Sequence, residues 1–173
     1  MKISTKQKII NKAIELFNEK GFAAVTLFEI AGALNMTRGN LTYHFKDKDL
    51  LLEAIAEELW SKIALERSKS RQFPSFENLH NWVQLYYHFQ KAYAFIFLDY
   101  HVLNHPIIKP KFRELTKAQI KDNEATIAFS ISAGNMKQEP FEGMYHNLAF
   151  NTWMVSFYWL NQQMVRGENV DKS

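Results

Sequence analysis

Apolar residues recur three and four positions apart along most of this 173-residue chain, which is the spacing of one face of an α-helix. The first such face consists of Ile10, Ala13, Ile14 and Phe17. We expect this helix to begin after Ser4, with Gln7 completing a capping box, and to end at Gly21. No stretch shows the strict alternation of apolar and polar residues that predicts a strand. The pattern therefore predicts an all-α fold.

The most informative segment is residues 26–48, which read TLFEIAGALNMTRGNLTYHFKDK. Thr26 and Glu29 have the spacing of a capping box at the start of a short helix. Asn35 tolerates the left-handed conformation that often ends a helix, and Thr37 can cap a second helix two residues later. Two short helices joined this tightly predict a helix-turn-helix motif.

The second helix of this motif has one apolar face and one polar face. Leu41 and Phe45 lie four residues apart and are expected to point into a small core. The outward positions are Arg38, Thr42, Tyr43 and His44, with Gly39 and Asn40 in the first turn. Arg38 is long enough to read a guanine edge, Asn40 could read adenine or reach a phosphate, and Gly39 would let the backbone approach DNA closely. On spacing alone, a structural helical hairpin is the alternative.

Three short runs within this motif, and two single residues after them, point to a family. They are Thr26-x-x-x-Ile30-Ala31, Met36-Thr37-Arg38-Gly39-Asn40-Leu41, Tyr43-His44-Phe45, Lys48 and Leu50. They resemble the DNA-binding domain of the tetracycline-repressor (TetR) family, over roughly residues 5 to 55. The resemblance implies phosphate contacts mainly from Thr26, Thr37, Tyr43, His44 and Lys48. This chain has Thr42 where the family usually has an aromatic residue, so any contact made there would be shorter.

Five further helices are predicted after the motif. They span about 48–67, 75–89, 93–104, 110–133 and 140–167, and four of them have predicted starting residues, namely Asp47, Ser75, Pro110 and Pro140. Residues 68–74 show no apolar period and are the best candidate break in the chain. We expect a three-helix DNA-binding head at 1–47 and a larger helical body at 48–173, with the first helix of the body linking the two.

Aromatic residues are concentrated in the body, where residues 73–100 and 141–159 hold 17 of the 25 rings. So many rings predict a lined cavity, a buried subunit interface or an ordinary core. The TetR resemblance implies a pocket for a small ligand, here an apolar or aromatic one, and a dimer interface formed by the last two helices. The candidate pocket residues are Trp82, Tyr86, Phe89, Tyr93, Phe97, Tyr100, Trp153 and Phe157. The candidate dimer residues are Phe150, Met154 and Tyr158.

Composition narrows the function classes. The chain has no cysteine, which excludes disulfides and thiolate metal sites. His101 and His105 lie four residues apart, but no glutamate completes a metal-binding pattern and Pro106 follows, so we expect histidines that are solvated or interact with the last carbonyls of the helix. The most apolar segment, 148–160, is too short and too polar for a membrane span, and the polar N-terminus argues against a signal peptide. We expect no metal, no cofactor and a cytoplasmic protein.

The charge distribution agrees with a DNA-binding head. Residues 1–50 hold eight basic and five acidic residues, whereas the other 123 residues hold 13 of each. The whole excess of positive charge therefore lies in the segment expected to meet DNA. We expect a ligand-responsive repressor that binds a palindromic operator as a homodimer and is not an enzyme. The alternative is a small-molecule-binding protein or enzyme whose aromatic body is the active part and whose head does not bind DNA.

Overall fold

The computed structural model of the chain describes residues 3–70 and 76–168. These residues form helices α1 Thr5–Lys20, α2 Leu27–Ala33, α3 Arg38–His44, α4 Lys48–Ser70, α5 Phe76–Ala92, α6 Ala94–Leu98, α7 Tyr100–Leu103, α8 Ile108–Ser132, α9 Met144–Phe157 and α10 Trp159–Val165. The described residues contain no strand, so the prediction of an all-α fold is confirmed.

The head is built from α1, α2 and α3, and its helices begin and end where local chemistry predicts. The Thr26 hydroxyl accepts the Glu29 N–H at 3.2 Å and the Glu29 carboxylate accepts the Thr26 N–H at 2.9 Å, which completes the capping box. Gly21 ends α1 with a φ of 81°, and Asn35 takes a φ of 53° in the turn. Thr37 caps α3 by accepting the Asn40 N–H at 3.2 Å. The helix-turn-helix prediction is confirmed in this geometry.

Helix α4 lies between the head and the body and is buried against both. Leu51, Leu52 and Ile55 are fully buried in the half of α4 next to α3, and Leu59 and Trp60 are buried further along. These side chains belong to one continuous apolar cluster that also holds residues of α1, α2, α3, α6, α7 and α8. The head and the body therefore share a core.

A side chain of the head binds the backbone at the point where α5 ends and α6 begins. The Asn18 amide donates to the Ala92 carbonyl at 2.9 Å, and its oxygen accepts the Phe95 N–H at 3.0 Å. The Phe17 and Phe95 rings lie 5.1 Å apart beside these bonds. Backbone groups left without helical partners at a helix end need such acceptors and donors. Asn18 therefore fixes α1 to the body through hydrogen bonds as well as packing.

Three predicted features of the body are wrong in detail. The helix expected at 93–104 is divided at Asp99, whose carboxylate caps α7 through the His101 N–H at 2.8 Å. Helix α8 begins at Ile108 rather than at Pro110. Pro110 is tolerated in the first turn of the helix, because N–H groups there have no helical partners.

The last predicted helix begins at Met144, after Gly143 with a φ of 85°, rather than at Pro140. Residues before it are held in a loop instead, because the Glu139 carboxylate accepts the Tyr145 N–H and the Tyr145 hydroxyl donates to the Lys137 carbonyl. This helix also divides at Tyr158 into α9 and α10. Residues 68–70 of the predicted break belong to α4, which is longer than expected, whereas residues 71–74 and the predicted cap at Ser75 lie outside the described residues.

Glu58 is the centre of a polar network between the head and the body. Its carboxylate accepts hydrogen bonds from Gln7 of α1 at 2.8 Å, from Lys62 at 2.6 Å and from the Tyr93 hydroxyl at 3.2 Å. Burial raises the pKa of Glu58, but the hydrogen bonds from Lys62 and Gln7 outweigh that effect, so the pKa lies below its ordinary value of 4.5. The charged carboxylate is therefore the form that stabilises the folded chain.

We predict that Glu58→Gln lowers the free energy of unfolding near pH 7 by about 1 kcal/mol, a typical value for hydrogen bonds of this kind. The pKa of Glu58 is lower in the folded chain, so its contribution is present above about pH 4.5 and is lost as the pH falls through the folded value. The difference between wild type and variant should therefore shrink below pH 4.5 in urea titrations. Glu57→Gln, at an exposed neighbour, is the control. A pH-independent difference for Glu58→Gln would contradict the prediction.

Candidate nucleic-acid interface and body cavity

Helix α3 presents a polar face to solvent from a firmly anchored position. Leu41 is fully buried, and Phe45, which follows the helix, is also buried in the shared core. Arg38, Gly39 and Asn40 are exposed in the first turn, and Tyr43 is 85% exposed in the last. The structure thus brings the predicted base-reading residues together on one surface. A short helix held in this way has the form of a recognition helix.

Two of the predicted contact residues interact with groups of α3 itself. The Thr42 hydroxyl donates to the Arg38 carbonyl at 3.0 Å and lies 3.2 Å from the Gly39 carbonyl. Its proton is therefore used within the helix, which leaves its methyl group and oxygen lone pairs for any further contact. His44 is half-buried and packs edge-to-face against Tyr43, with ring centroids 5.3 Å apart. This packing orients the exposed Tyr43 ring.

Lys48 binds backbone carbonyls within the head. Its ammonium donates to the Phe22 carbonyl at 2.9 Å and the Val25 carbonyl at 3.1 Å, and lies 4.3 Å from the centroid of the Phe22 ring. These contacts hold the loop between α1 and α2 against the start of α4. Lys48 is half-buried and lines the same surface depression as Arg38, so its contact with a DNA phosphate stays a prediction.

The surface beside α3 includes two residues that sequence reasoning missed. Phe28 of α2 is 71% exposed, and it lines a shallow depression together with Arg38 and Lys46. Phe28 lies off the apolar stripe of α2, since Ile30 and Ala31 are the buried residues of that helix. An aromatic residue outside a helical stripe was therefore the available signal in the sequence.

The body encloses a cavity of about 70 Å³. Its walls carry six aromatic rings, from Trp60, Trp82, Tyr86, Phe112, Trp153 and Phe157. The polar lining includes Arg67, whose guanidinium is ion-paired with Asp122 of α8. Four predicted pocket residues, Trp82, Tyr86, Trp153 and Phe157, therefore lie around one cavity. A cavity of this size is smaller than the ~300–1,000 Å³ that ligand sites usually occupy.

The other four predicted pocket residues lie elsewhere. Phe97 is fully buried behind the cavity wall, with its ring 6.1 Å from Tyr86 and 6.0 Å from Phe157. Tyr93 is committed to the Glu58 network, and Phe89 packs against the shared core. Tyr100 is 74% exposed on α7, because the break at Asp99 turns that helix away from the cavity.

Helices α8 and α9 pack together and leave an apolar face in solvent. The predicted dimer residues Phe150, Met154 and Tyr158 are all exposed on or just after α9. Phe129 of α8 is exposed as well. Exposed apolar residues clustered in this way are typical of a protein–protein contact surface.

The histidines of α7 and its following loop lie in different surroundings. His101 is exposed, whereas His105 lies 3.5 Å from the Asp49 carboxylate and 6.0 Å from the Phe22 ring. Within residues 3–70 and 76–168, no group of three or more histidine, aspartate and glutamate side chains could hold a metal ion. In the same part of the chain, no helix has both the length and the apolar character needed to cross a bilayer.

We predict that Lys48→Met lowers the stability of the head by about 1.5–3 kcal/mol, the usual value of hydrogen bonds to a charged group. The loop carbonyls of Phe22 and Val25 lose their donor in this variant. Lys46→Met removes a charge two residues away at an exposed position and serves as the control. Thermal unfolding followed by circular dichroism should show a lower midpoint for Lys48→Met alone. Equal midpoints for the two variants would contradict the structural role.

Comparison with known proteins identifies the family. A family profile described as "Bacterial regulatory proteins, tetR family" matches residues 9–55, and one described as "Bacterial transcriptional repressor" matches residues 56–173. The HTH-type transcriptional regulator QacR of Staphylococcus aureus is 32% identical over 110 residues, which cover 59% of this chain and 58% of QacR. The HTH-type transcriptional regulator AcrR of Shigella flexneri is 41% identical over 71 residues, which cover 40% of this chain and 33% of AcrR.

A solved structure agrees over a longer span. The crystal structure of a TetR-family transcriptional regulator from Marinobacter aquaeolei VT8 superposes with a TM-score of 0.82 at 25% identity. The match covers 94% of this chain and 81% of that one, whereas the chain spans less than two thirds of the length of QacR and of AcrR. Because the two profiles together account for residues 9–173, this chain belongs to the TetR family of transcriptional regulators.

Proposed function

We propose that this chain is a ligand-responsive repressor that acts in the cytoplasm as a homodimer on a palindromic DNA operator. Residues 1–47 would read DNA, and residues 48–173 would bind the ligand and dimerise. The observation that carries the proposal is the polar, exposed face of α3 above the buried Leu41. In helix-turn-helix proteins the second helix of the motif enters the major groove with such a face.

Base reading is assigned to the first turn of α3. Arg38 and Asn40 are exposed there, and their side chains can make paired hydrogen bonds to guanine and adenine edges, respectively. Gly39 lies between them, and a methyl group added to it would meet only the Thr37 hydroxyl, at 4.0 Å. The fold itself therefore tolerates a side chain at this position. Alanine would also make the helix more stable than glycine does, by about 0.5–1 kcal/mol. Close approach of DNA accounts for the glycine.

Phosphate contacts are assigned to exposed and half-buried groups around α2 and α3. Thr26, Thr37 and Tyr43 are exposed, and His44 is half-buried next to Tyr43. Thr42 would contribute its methyl group, since its hydroxyl proton is used within α3. Phe28 and Lys46 flank Arg38 and extend the surface that faces DNA. Phosphate contacts position the head, whereas the Arg38 and Asn40 contacts specify sequence.

The homodimer is assigned to the apolar face of α8 and α9. Phe150, Met154 and Tyr158 would pair with the same residues of a second copy around a two-fold axis, with Phe129 at the edge of the contact. Two recognition helices related by that axis would enter successive major grooves about 34–36 Å apart. The two-fold axis makes the operator a palindrome, and the spacing sets the distance between its half-sites.

We assign the ligand site to the aromatic cavity, and we assign to α4 the transmission of ligand binding to the recognition helix. Trp60 and Ile63 of α4 line this cavity, and the same helix begins four residues after the end of α3. A small apolar or aromatic ligand that separates the cavity walls would shift α4 and therefore the recognition helix. The ligand can release DNA only as far as its affinities for the two conformations differ.

In vitro selection from a random duplex library tests the DNA-binding proposal. We predict that the full chain enriches a palindromic sequence. Arg38→Ala should then lose discrimination at one base pair of each half-site by about 1–3 kcal/mol. Arg113→Ala, which removes the same charge from an exposed position on α8, should keep full discrimination. No enriched sequence would overturn the proposal, and equal losses in both arginine variants would contradict the role of Arg38.

A further inference from the structure

The cavity of the body has a distinctive charge pattern. Arg67 is the one charged residue among those that line it, and no aspartate or glutamate of the described chain is in the lining. The ion-pair partner of Arg67, Asp122, lies outside the lining and is more exposed than Arg67. The cavity therefore faces the positive member of a pair whose negative member is turned towards solvent.

The neutral polar groups of the lining are partly used within the protein. The Thr152 hydroxyl donates to the Leu148 carbonyl, and the Ser156 hydroxyl donates to the Thr152 carbonyl, both at 2.8 Å. The Asn123 amide accepts from Gln119 and donates to the Ala149 carbonyl, both at 3.0 Å. The positive charge of Arg67 is therefore the feature of the lining that can distinguish an anionic ligand from a neutral one.

The aromatic walls supply donors but no negative charge. An indole carries a donor and no acceptor, and three of the six rings are indoles, from Trp60, Trp82 and Trp153. Burial raises the pKa of the Tyr86 hydroxyl, so this group stays protonated and can also donate. A cation in this cavity would lose its hydration without gaining a carboxylate, and it would lie near Arg67.

We propose that the ligand of the body is a planar aromatic compound with an acidic oxygen group, such as an aromatic carboxylate, bound through Arg67. The rings would stack on the Trp and Phe walls, and the carboxylate would lie beside the guanidinium of the Arg67–Asp122 pair, whose positive charge attracts it. Lipophilic cations should bind less tightly, because they would lie near Arg67 with no carboxylate in the lining. This inference rests on the proposed ligand-binding role of the body and is independent of DNA recognition by the head.

Room for such a ligand exists next to the cavity. A groove of about 490 Å³ lies between α5 and α9, and it shares Val83, Tyr86, Thr152 and Ser156 with the cavity. A ligand that occupies both spaces would have to displace side chains among these four shared residues. The combined site reaches the range that aromatic ligands usually occupy, on the order of 300–1,000 Å³.

Isothermal titration calorimetry with three naphthalene probes tests the charge class. The probes are 2-naphthoate, the neutral 2-naphthamide and the cationic 2-naphthyl-trimethylammonium ion, which share the ring system and differ in charge. We expect the full chain to bind the carboxylate at least ten-fold more tightly than the cation, with the amide between them. Equal or tighter binding of the cation would overturn the proposal, as would binding of none of the three.

Two variants locate the effect at Arg67. Removing one member of an ion pair leaves the other charge without its partner, so Arg67→Gln is combined with Asp122→Asn to keep the fold. The double variant should bind 2-naphthoate no more tightly than 2-naphthamide. Arg113→Gln removes an arginine from an exposed position on α8, outside the linings of the cavity and the groove, and should keep the wild-type preference. A preference for the carboxylate that persists in the double variant would overturn the proposal. None of these measurements involves DNA, so their failure and that of the DNA-binding proposal are distinguishable.

Discussion

The burial of α4 against both halves of the molecule is the constraint on which the rest of the structure depends. Leu51, Leu52 and Ile55 pack against the head, and Leu59 and Trp60 continue the same apolar cluster into the body. Fully burying a side chain of this kind contributes about 1.5–3 kcal/mol, so separating the two halves would cost many times that amount. The recognition helix and the aromatic cavity are consequently attached to one helix, and neither can move far without it.

Features set by local chemistry were predictable from the sequence. The capping box of Thr26 and Glu29, the left-handed Asn35 and the Thr37 cap each depend on residues within four positions of one another. The polar face of α3 was equally predictable, because Leu41 and Phe45 fix which side of the helix points inward. The helices, the turn and the polar face of the head were therefore predictable from local chemistry.

Features set by distant contacts were not predictable. Lys48 is expected on DNA because of its position in the motif, and nothing in the sequence indicates that its ammonium binds loop carbonyls more than twenty residues earlier in the chain. Tyr100 is aromatic like the other candidate pocket residues. It is nevertheless exposed to solvent, because α7 begins separately at the Asp99 cap. The sequence around Arg67 does not indicate that this residue lines the cavity, because its position depends on a partner 55 residues away in α8. Only tertiary packing decides these cases.

The shared core can be tested by following the unfolding of the head and of the body in one sample. All four tryptophans lie at positions 60–159 and report the body, while a dye on Phe28→Cys would report the head, because the chain has no other cysteine. A urea titration that records both signals is the most direct measurement. A core continuous through α4 predicts that the two transitions share one midpoint and one slope. A head that loses its signal at a lower urea concentration, while the tryptophans remain native, would contradict it.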